Sequence, residues 1–181
     1  MKHEISLIIP TYNNPHQLQR LLNYYNSFKI DYSIIIVDSS VEQNKLINKK
    51  TASAYPDLSI HYRTYHPDIH LLNKLTDALN YANRPYCVFC ASDDFITPNG
   101  IQQSADFLEK NQDFNVARGY HINFYIKTNR KGKRQLHWKT PPSMNLFTNS
   151  SIHLKDPVSR LTFHLSNYLI ATFYAVHRTN F

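Results

Sequence analysis

Two carboxylates, Asp93 and Asp94, stand side by side in CASDDFITPNG, between an apolar run and a Thr-Pro that reads as a helix start. Adjacent like charges repel, and the cost is offset only by a cation or by hydrogen-bond donors. Mg2+ and Mn2+ prefer hard oxygen ligands and are held by one or two carboxylates together with substrate phosphates, so the pair suits a metal-bound diphosphate. A glycoside hydrolase also needs two acids, but they must straddle a sugar about 5–9.5 Å apart, which neighbouring residues do not do. The plainer reading is that Ser92 or Asp94 caps the turn before the next helix. Asp38, closing IIIVDSS, is a third strand-end acid; its plainer reading is a turn aspartate with Ser39 and Ser40.

The elements that would position these acids follow from periodicity. EISLIIP and YSIIIVDSS are β-branched and almost continuously apolar, the pattern of strands covered on both faces of a parallel sheet. Between them Leu18, Leu21, Leu22, Tyr25 and Phe28 recur at helical spacing behind Pro15. The alternation continues with a polar helix near 41–53, a strand near 58–63, and a helix near 68–82 whose apolar face is Leu71, Leu72, Leu75, Ala78, Leu79 and Ala82. The strand YCVFCAS and a helix over 98–111, with Thr97 as its cap and Pro98 in its first turn, complete four β-α repeats. Such an order predicts an open, mostly parallel α/β sheet, whose ligands sit beyond the carboxyl ends of the strands. The loops PTYNN, DSS and SDDF then meet at one edge.

From 115 onward the pattern changes: NVARGYHINFYIKT and RQLHWKT read as a hairpin across the basic turn KTNRKGKR. Residues 140–155 lack periodicity and read as a long loop, 156–167 as a short helix, and the chain closes on apolar LIATFYAVHRTNF.

Composition narrows the partners. At 181 residues with 42% hydrophobic side chains, the chain supports one domain with a full core. A net charge of +7 favours anionic partners, but the only basic cluster is the turn Lys127 to Arg134, which reads as a solvated hairpin tip rather than a nucleic-acid stripe. Three glycines cannot build a G-x-G-x-x-G or a P-loop, so a nucleotide must be held another way. Cys87 and Cys90 are three apart on a strand, point to opposite faces and read as core residues. The apolar run ending at Pro10 is too short for a signal-peptide core or a membrane span, and the expectation is a cytoplasmic chain.

SLIIPTYNNPHQLQRLLNYY, IIIVDSS, CASDDFITPNGI and FLEKNQDFNVARG, in this order and spacing, resemble the inverting family two glycosyltransferases of the GT-A fold, with an echo at FYAVHRT. The resemblance implies a Rossmann-like α/β domain: an open, mostly parallel sheet with helices on both faces, plus a C-terminal β-hairpin and short helix. Residues 1–181 would form one domain, with a nucleotide-sugar-binding half over 1–114 and a partial acceptor-side half over 115–181. It further implies transfer of a sugar from a nucleotide diphosphate donor, a UDP-sugar foremost, to a glycan, lipid-linked or polysaccharide acceptor with Mn2+ or Mg2+. Carried over by position, Pro10, Thr11, Tyr12, Asn13, Asp38 and Ser39 would meet the nucleoside. Asp93 and Asp94, with Ser92 beside them, would hold ribose and metal, and Asn73 and Lys74 would contact the donor; a solvated Lys74 is the alternative.

Two departures stand out. Ala91 and Ser92 occupy positions where the family carries its first acids. The acceptor's proton must go to a carboxylate, and of the late acids Asp106, Glu109 and Asp113 read as a helix's polar face. Asp156 is left as the candidate base, with an N-cap before Pro157 as its other reading. His164 and His177 read as core or surface residues rather than metal contacts. The missing base and apolar ending fit a truncated chain or a shortened homologue. Two functional classes therefore stand: a glycosyltransferase or its donor-binding domain, and a non-catalytic module that binds a nucleotide or a partner. Peripheral attachment to anionic lipid at the inner membrane face, through Lys127 to Arg134, would accompany either.

Overall fold

The structure is a computed structural model that describes residues 2–120, 122–129, 132–139, 154–159, 162 and 173–179. It divides into two compact units, Met1–Arg118 with Asn167–Phe181, and Gly119–Ser166.

The first unit is the expected α/β sheet. Strands β1 (Ile5–Thr11), β2 (Ser33–Asp38), β3 (Ser59–Thr64) and β4 (Tyr86–Phe89) alternate with helices α1 (Pro15–Ser27), α2 (Glu42–Ser53), α3 (Leu71–Leu79) and α4 (Pro98–Lys110). β1 pairs in parallel with both β2 and β4, and β2 with β3. β1, β2 and β4 are buried along their whole length, which is why their sequences are apolar runs rather than alternations. Side chains of one sheet face meet Leu18, Leu22, Ala52, Ile101 and Leu108 from α1, α2 and α4. The other face, with Ile8, Ile35 and Val37, meets Leu75 and Ala78 of α3. Helices thus cover both faces, and each fully buried Leu or Ile contributes about 1.5–3 kcal/mol. Cys87 and Cys90 fall in opposite clusters, as their spacing predicts.

Local signals set the element ends. Thr97 Oγ1 accepts from Gly100 N at 3.2 Å, capping α4 directly behind the acid pair. A Cβ on Gly100 would lie 2.7 Å from that Oγ1, so a larger residue there would have to displace the capping hydroxyl.

Three expectations need correction. α3 is shorter than 68–82 because a turn, Ile69 N to His66 O, precedes it and His70 caps it. Its inward face is Lys74, Leu75 and Ala78, while Leu71, Leu72 and Leu79 are exposed: the Lys74 ammonium has buried acceptors to reach, and the helix is turned to let it. The strand expected from 115 is split, since Val116–Ala117 (β5) joins the main sheet. Its partner is a strand absent from the periodicity reading, β8 (Val176–Arg178), inserted antiparallel between β4 and β5. Strand order is therefore β3-β2-β1-β4-β8-β5. Three residues are too few to show a period, and pairing on both edges supplies what local preference does not.

The second unit holds a two-stranded hairpin, β6 (Asn123–Thr128) and β7 (Arg134–Lys139). The basic turn is its tip: Asn129 N donates to Lys133 O at 2.9 Å, and Gly132 takes φ +74°, the left-handed region that suits glycine. Phe124 faces Trp138 and Ile126 faces Leu136 across the strands, all four exposed. Residues 157–159 are helical; residues 140–153 of the loop expected over 140–155, most of the helix expected over 156–167, and His164 lie outside the described residues.

Candidate functional site

Register brings the expected loops to one edge. Thr11 ends β1 opposite Asp38, and the β4 strand end flanks β1 on its other side. With strands about 4.8 Å apart, the loops after β2 and β4 sit about 10 Å apart.

The loops after β1 and β2 are locked together. Asn13 takes φ 54°, a conformation asparagine tolerates, which turns its N–H onto Ser40 Oγ at 2.8 Å. Its Oδ1 accepts from Val41 N at 3.0 Å and Asn44 Nδ2 at 3.1 Å. Beneath them Asp38 is fully buried and accepts from Ser40 N at 2.7 Å, Asn48 Nδ2 at 2.8 Å and the Tyr62 hydroxyl. Burial, and then this bond to the Asp38 carboxylate, push the Tyr62 hydroxyl well above the ordinary tyrosine range.

Lys74 is 3% exposed and not solvated. Its Nζ donates to Ser39 Oγ at 2.8 Å and to the Thr11 carbonyl at 3.2 Å. Burial lowers its pKa, and the negative charge of Asp38 opposes that shift. Pro10 is buried within β1. Among the described residues, two buried acceptor-capable atoms at this edge, Thr11 Oγ1 and Asn48 Oδ1, have no hydrogen-bond partner. Tyr12 and Asn73 are exposed.

At the end of β4, Cys90 N still bonds Ile8 O at 3.0 Å, and the chain then turns, Asp94 N to Ala91 O at 3.2 Å. The turn buries Ser92 and exposes both carboxylates. Arg20 of α1 donates to the Asp93 carbonyl at 2.7 Å and lies 5.0 Å over the Phe95 ring, pinning the turn from one side. From the other, the Tyr174 hydroxyl donates to Asp94 Oδ2 at 2.5 Å. Among the described residues no three His, Cys, Asp or Glu side chains cluster as a metal cage. Two exposed carboxylates are an oxygen-only donor set that suits Mg2+ or Mn2+ sharing its remaining positions with phosphate and water, so these residues fit the cation.

Asp156 lies in the other unit, where its Oδ2 accepts from Ser159 N at 2.6 Å, the bond of a helix cap. His177 sits in β8 with its ring edge-on to Phe89, a packing role.

Sequence reasoning missed Asn48, Tyr62, Arg20 and Tyr174. A buried Asn on the polar helix EQNKLINKK was a weak signal for Asn48. Nothing local pointed to Tyr174, which is 80 residues from its partner.

The fold is that of a family two glycosyltransferase domain. The chain matches the family model of glycosyl transferase family 2 over residues 6–166 and belongs to that family. No curated protein matches it. Among solved structures it is similar to S. aureus TarS 1-349 in complex with UDP-GlcNAc, at 22% identity and TM-score 0.58, covering 97% of this chain and 45% of that one. It is also similar to the mannosyltransferase PcManGT from Pyrobaculum calidifontis in complex with GDP-Man and Mn2+, at 18% identity and TM-score 0.57, covering 67% of this chain and 36% of that one. At such identities the likeness is one of fold. The chain spans less than half the length of these structures.

Proposed function

We propose that the protein transfers a sugar from a nucleotide diphosphate donor, with a UDP-sugar favoured, to a glycan, lipid-linked or polysaccharide acceptor, with inversion and with Mn2+ or Mg2+. The observation that carries this is the exposed Asp93–Asp94 pair beside the locked loops after β1 and β2, at the carboxyl edge of a parallel sheet. The UDP-GlcNAc and the GDP-Man with Mn2+ held by the two similar proteins support the donor class and the cation.

Tyr12 and Asn13 present the surface for the nucleoside, with Pro10, Thr11, Asp38 and Ser39 forming its floor. Because three donors already hold Asp38, a direct contact with a base would exchange one of them. Lys74 and Asn73 border the same edge, with Lys74 contributing buried positive charge. Asp93 and Asp94, beside Ser92, would hold the cation and the ribose; a divalent cation there would neutralise the departing diphosphate. The acceptor hydroxyl loses its proton to a carboxylate as its oxygen attacks the anomeric carbon, and Asp156 is this chain's candidate. Calorimetry with UDP, GDP, CMP and their sugars, with and without Mn2+, tests the proposal: no binding of any of them ends it.

The non-catalytic reading draws on Ala91 and Ser92 in the acid motif and on the cap bond of Asp156. Donor hydrolysis or sugar transfer by the chain excludes it. Peripheral attachment to an anionic surface at the cytoplasmic membrane face draws on the hairpin, whose tip carries Lys127, Lys133 and Arg134 beside exposed Ile126, Leu136 and Trp138. No helix among the described residues is long and apolar enough to cross a membrane. Salt-sensitive binding to phosphatidylserine vesicles is expected, and its absence removes this partner.

A further inference from the structure

We infer that Tyr174 is a positioning residue for Asp94, holding one oxygen of that carboxylate so that the other is presented to a divalent cation. The inference rests on the reading of Asp94 as a cation ligand.

The backbone of Tyr174 takes φ +65°, which a residue bearing a Cβ adopts only at a cost in strain that the surroundings must enforce. The surroundings here do. Tyr174 N donates to the Phe89 carbonyl at 2.9 Å, and Phe173 forms a β-bridge to Phe89 while its ring is buried in the core on the α3 face. The strained residue is thus clamped to the last residue of β4, and its hydroxyl reaches Asp94 Oδ2 five residues further along that strand and turn. A short hydrogen bond onto a carboxylate is among the stronger and more directional of side-chain contacts. The Asp94 backbone is set independently by its turn to Ala91 O. Tyr174 therefore adds the one thing the turn does not fix, the side-chain rotamer. As β8 follows two residues later, insertion of that strand beside β4 is what delivers the phenol.

The test compares wild type with Tyr174→Phe, which keeps the ring and its packing and removes only the hydroxyl. Mn2+ titration in the presence of UDP should show affinity reduced about 10- to 100-fold, the range for loss of a group that orients a metal ligand. UDP affinity in EDTA should be unchanged. In wild type, Mg2+ binding should also produce a tyrosine ultraviolet difference band that Tyr174→Phe lacks; this band is read on the wild type alone if the variant does not fold. Unchanged Mn2+ affinity in a folded variant, or no tyrosine band when wild type binds Mg2+, overturns the inference and leaves the cation reading standing. Wild type that binds UDP but no cation overturns both, and wild type that binds neither overturns the donor reading as well.

Discussion

The Lys74 Nζ lies 2.8 Å from Ser39 Oγ and 3.2 Å from the Thr11 carbonyl, so one buried ammonium from α3 closes the seam between the ends of β1 and β2. Lys74→Met keeps the stem and removes the donor, leaving two buried acceptors without it. Stability in urea should fall by about 1–3 kcal/mol. The pH dependence has a definite sign. The native pKa of Lys74 is lowered below 10.5, so between the native value and 10.5 the unfolded chain binds more protons and stability from this residue rises with pH. The stability difference between wild type and Lys74→Met should widen as pH approaches 10.5. A difference that stays flat there would mean that burial does not govern this lysine.

Asp38→Asn tests the carboxylate that Ser40, Asn48 and Tyr62 share. An amide has one oxygen to accept with and brings an NH2 against groups that are themselves donors. A loss of about 2–3 kcal/mol is expected. Tyr62→Phe should cost less, because Asp38 keeps two of its donors. Made together, the two changes should cost less than their sum, since they disrupt one network. Additive effects in urea unfolding would place Tyr62 outside it.

Much of this site was legible in the sequence because parallel strands leave a simple mark. Continuous apolar runs in Ile5–Thr11 and Ser33–Asp38 end in polar loops, and topology alone carries those loops to one edge. Turn and cap chemistry at Thr97 and at the tip with Gly132 was equally local and equally readable. What escaped was everything that depends on distant pairing. The inward face of α3 was read as leucines; burial of Lys74 reflects acceptors 35 and 63 residues away. β8 and Tyr174 have meaning only beside β4, and a three-residue strand carries no period to announce it.

Asp94→Ala and EDTA should act as one lesion. If Asp94 holds the cation that bridges to the diphosphate, EDTA should weaken UDP binding by wild type, and Asp94→Ala should match that weakened value and respond to EDTA no further. Asp93→Ala should fall between, as its backbone carbonyl, the group that Arg20 grips, survives the change. Calorimetry of UDP in Mn2+ and in EDTA for the three proteins measures this. An Asp94→Ala variant still sensitive to EDTA would remove Asp94 from the site.

The two cysteines give a last prediction. Cys87 and Cys90 are both buried, on opposite faces of β4. Burial pushes the Cys87 thiol to about 11, and burial, chiefly, pushes Cys90 to about 12, from an ordinary 9.0. The thiolate is the reactive form, so neither should react with iodoacetamide at pH 8 in the native protein, and both should react in guanidinium. The same shifts fix the sign of a stability effect. The native state keeps protons that the unfolded chain releases above pH 9, so the contribution is complete below that pH and declines between 9 and the native values. Replacing both with Ala should therefore flatten the alkaline fall in stability while lowering stability at neutral pH. Mass spectrometry after native labelling decides the point: a modified Cys90 in folded protein would show that the core at the end of β4 opens, and with it the strand that carries the acid pair.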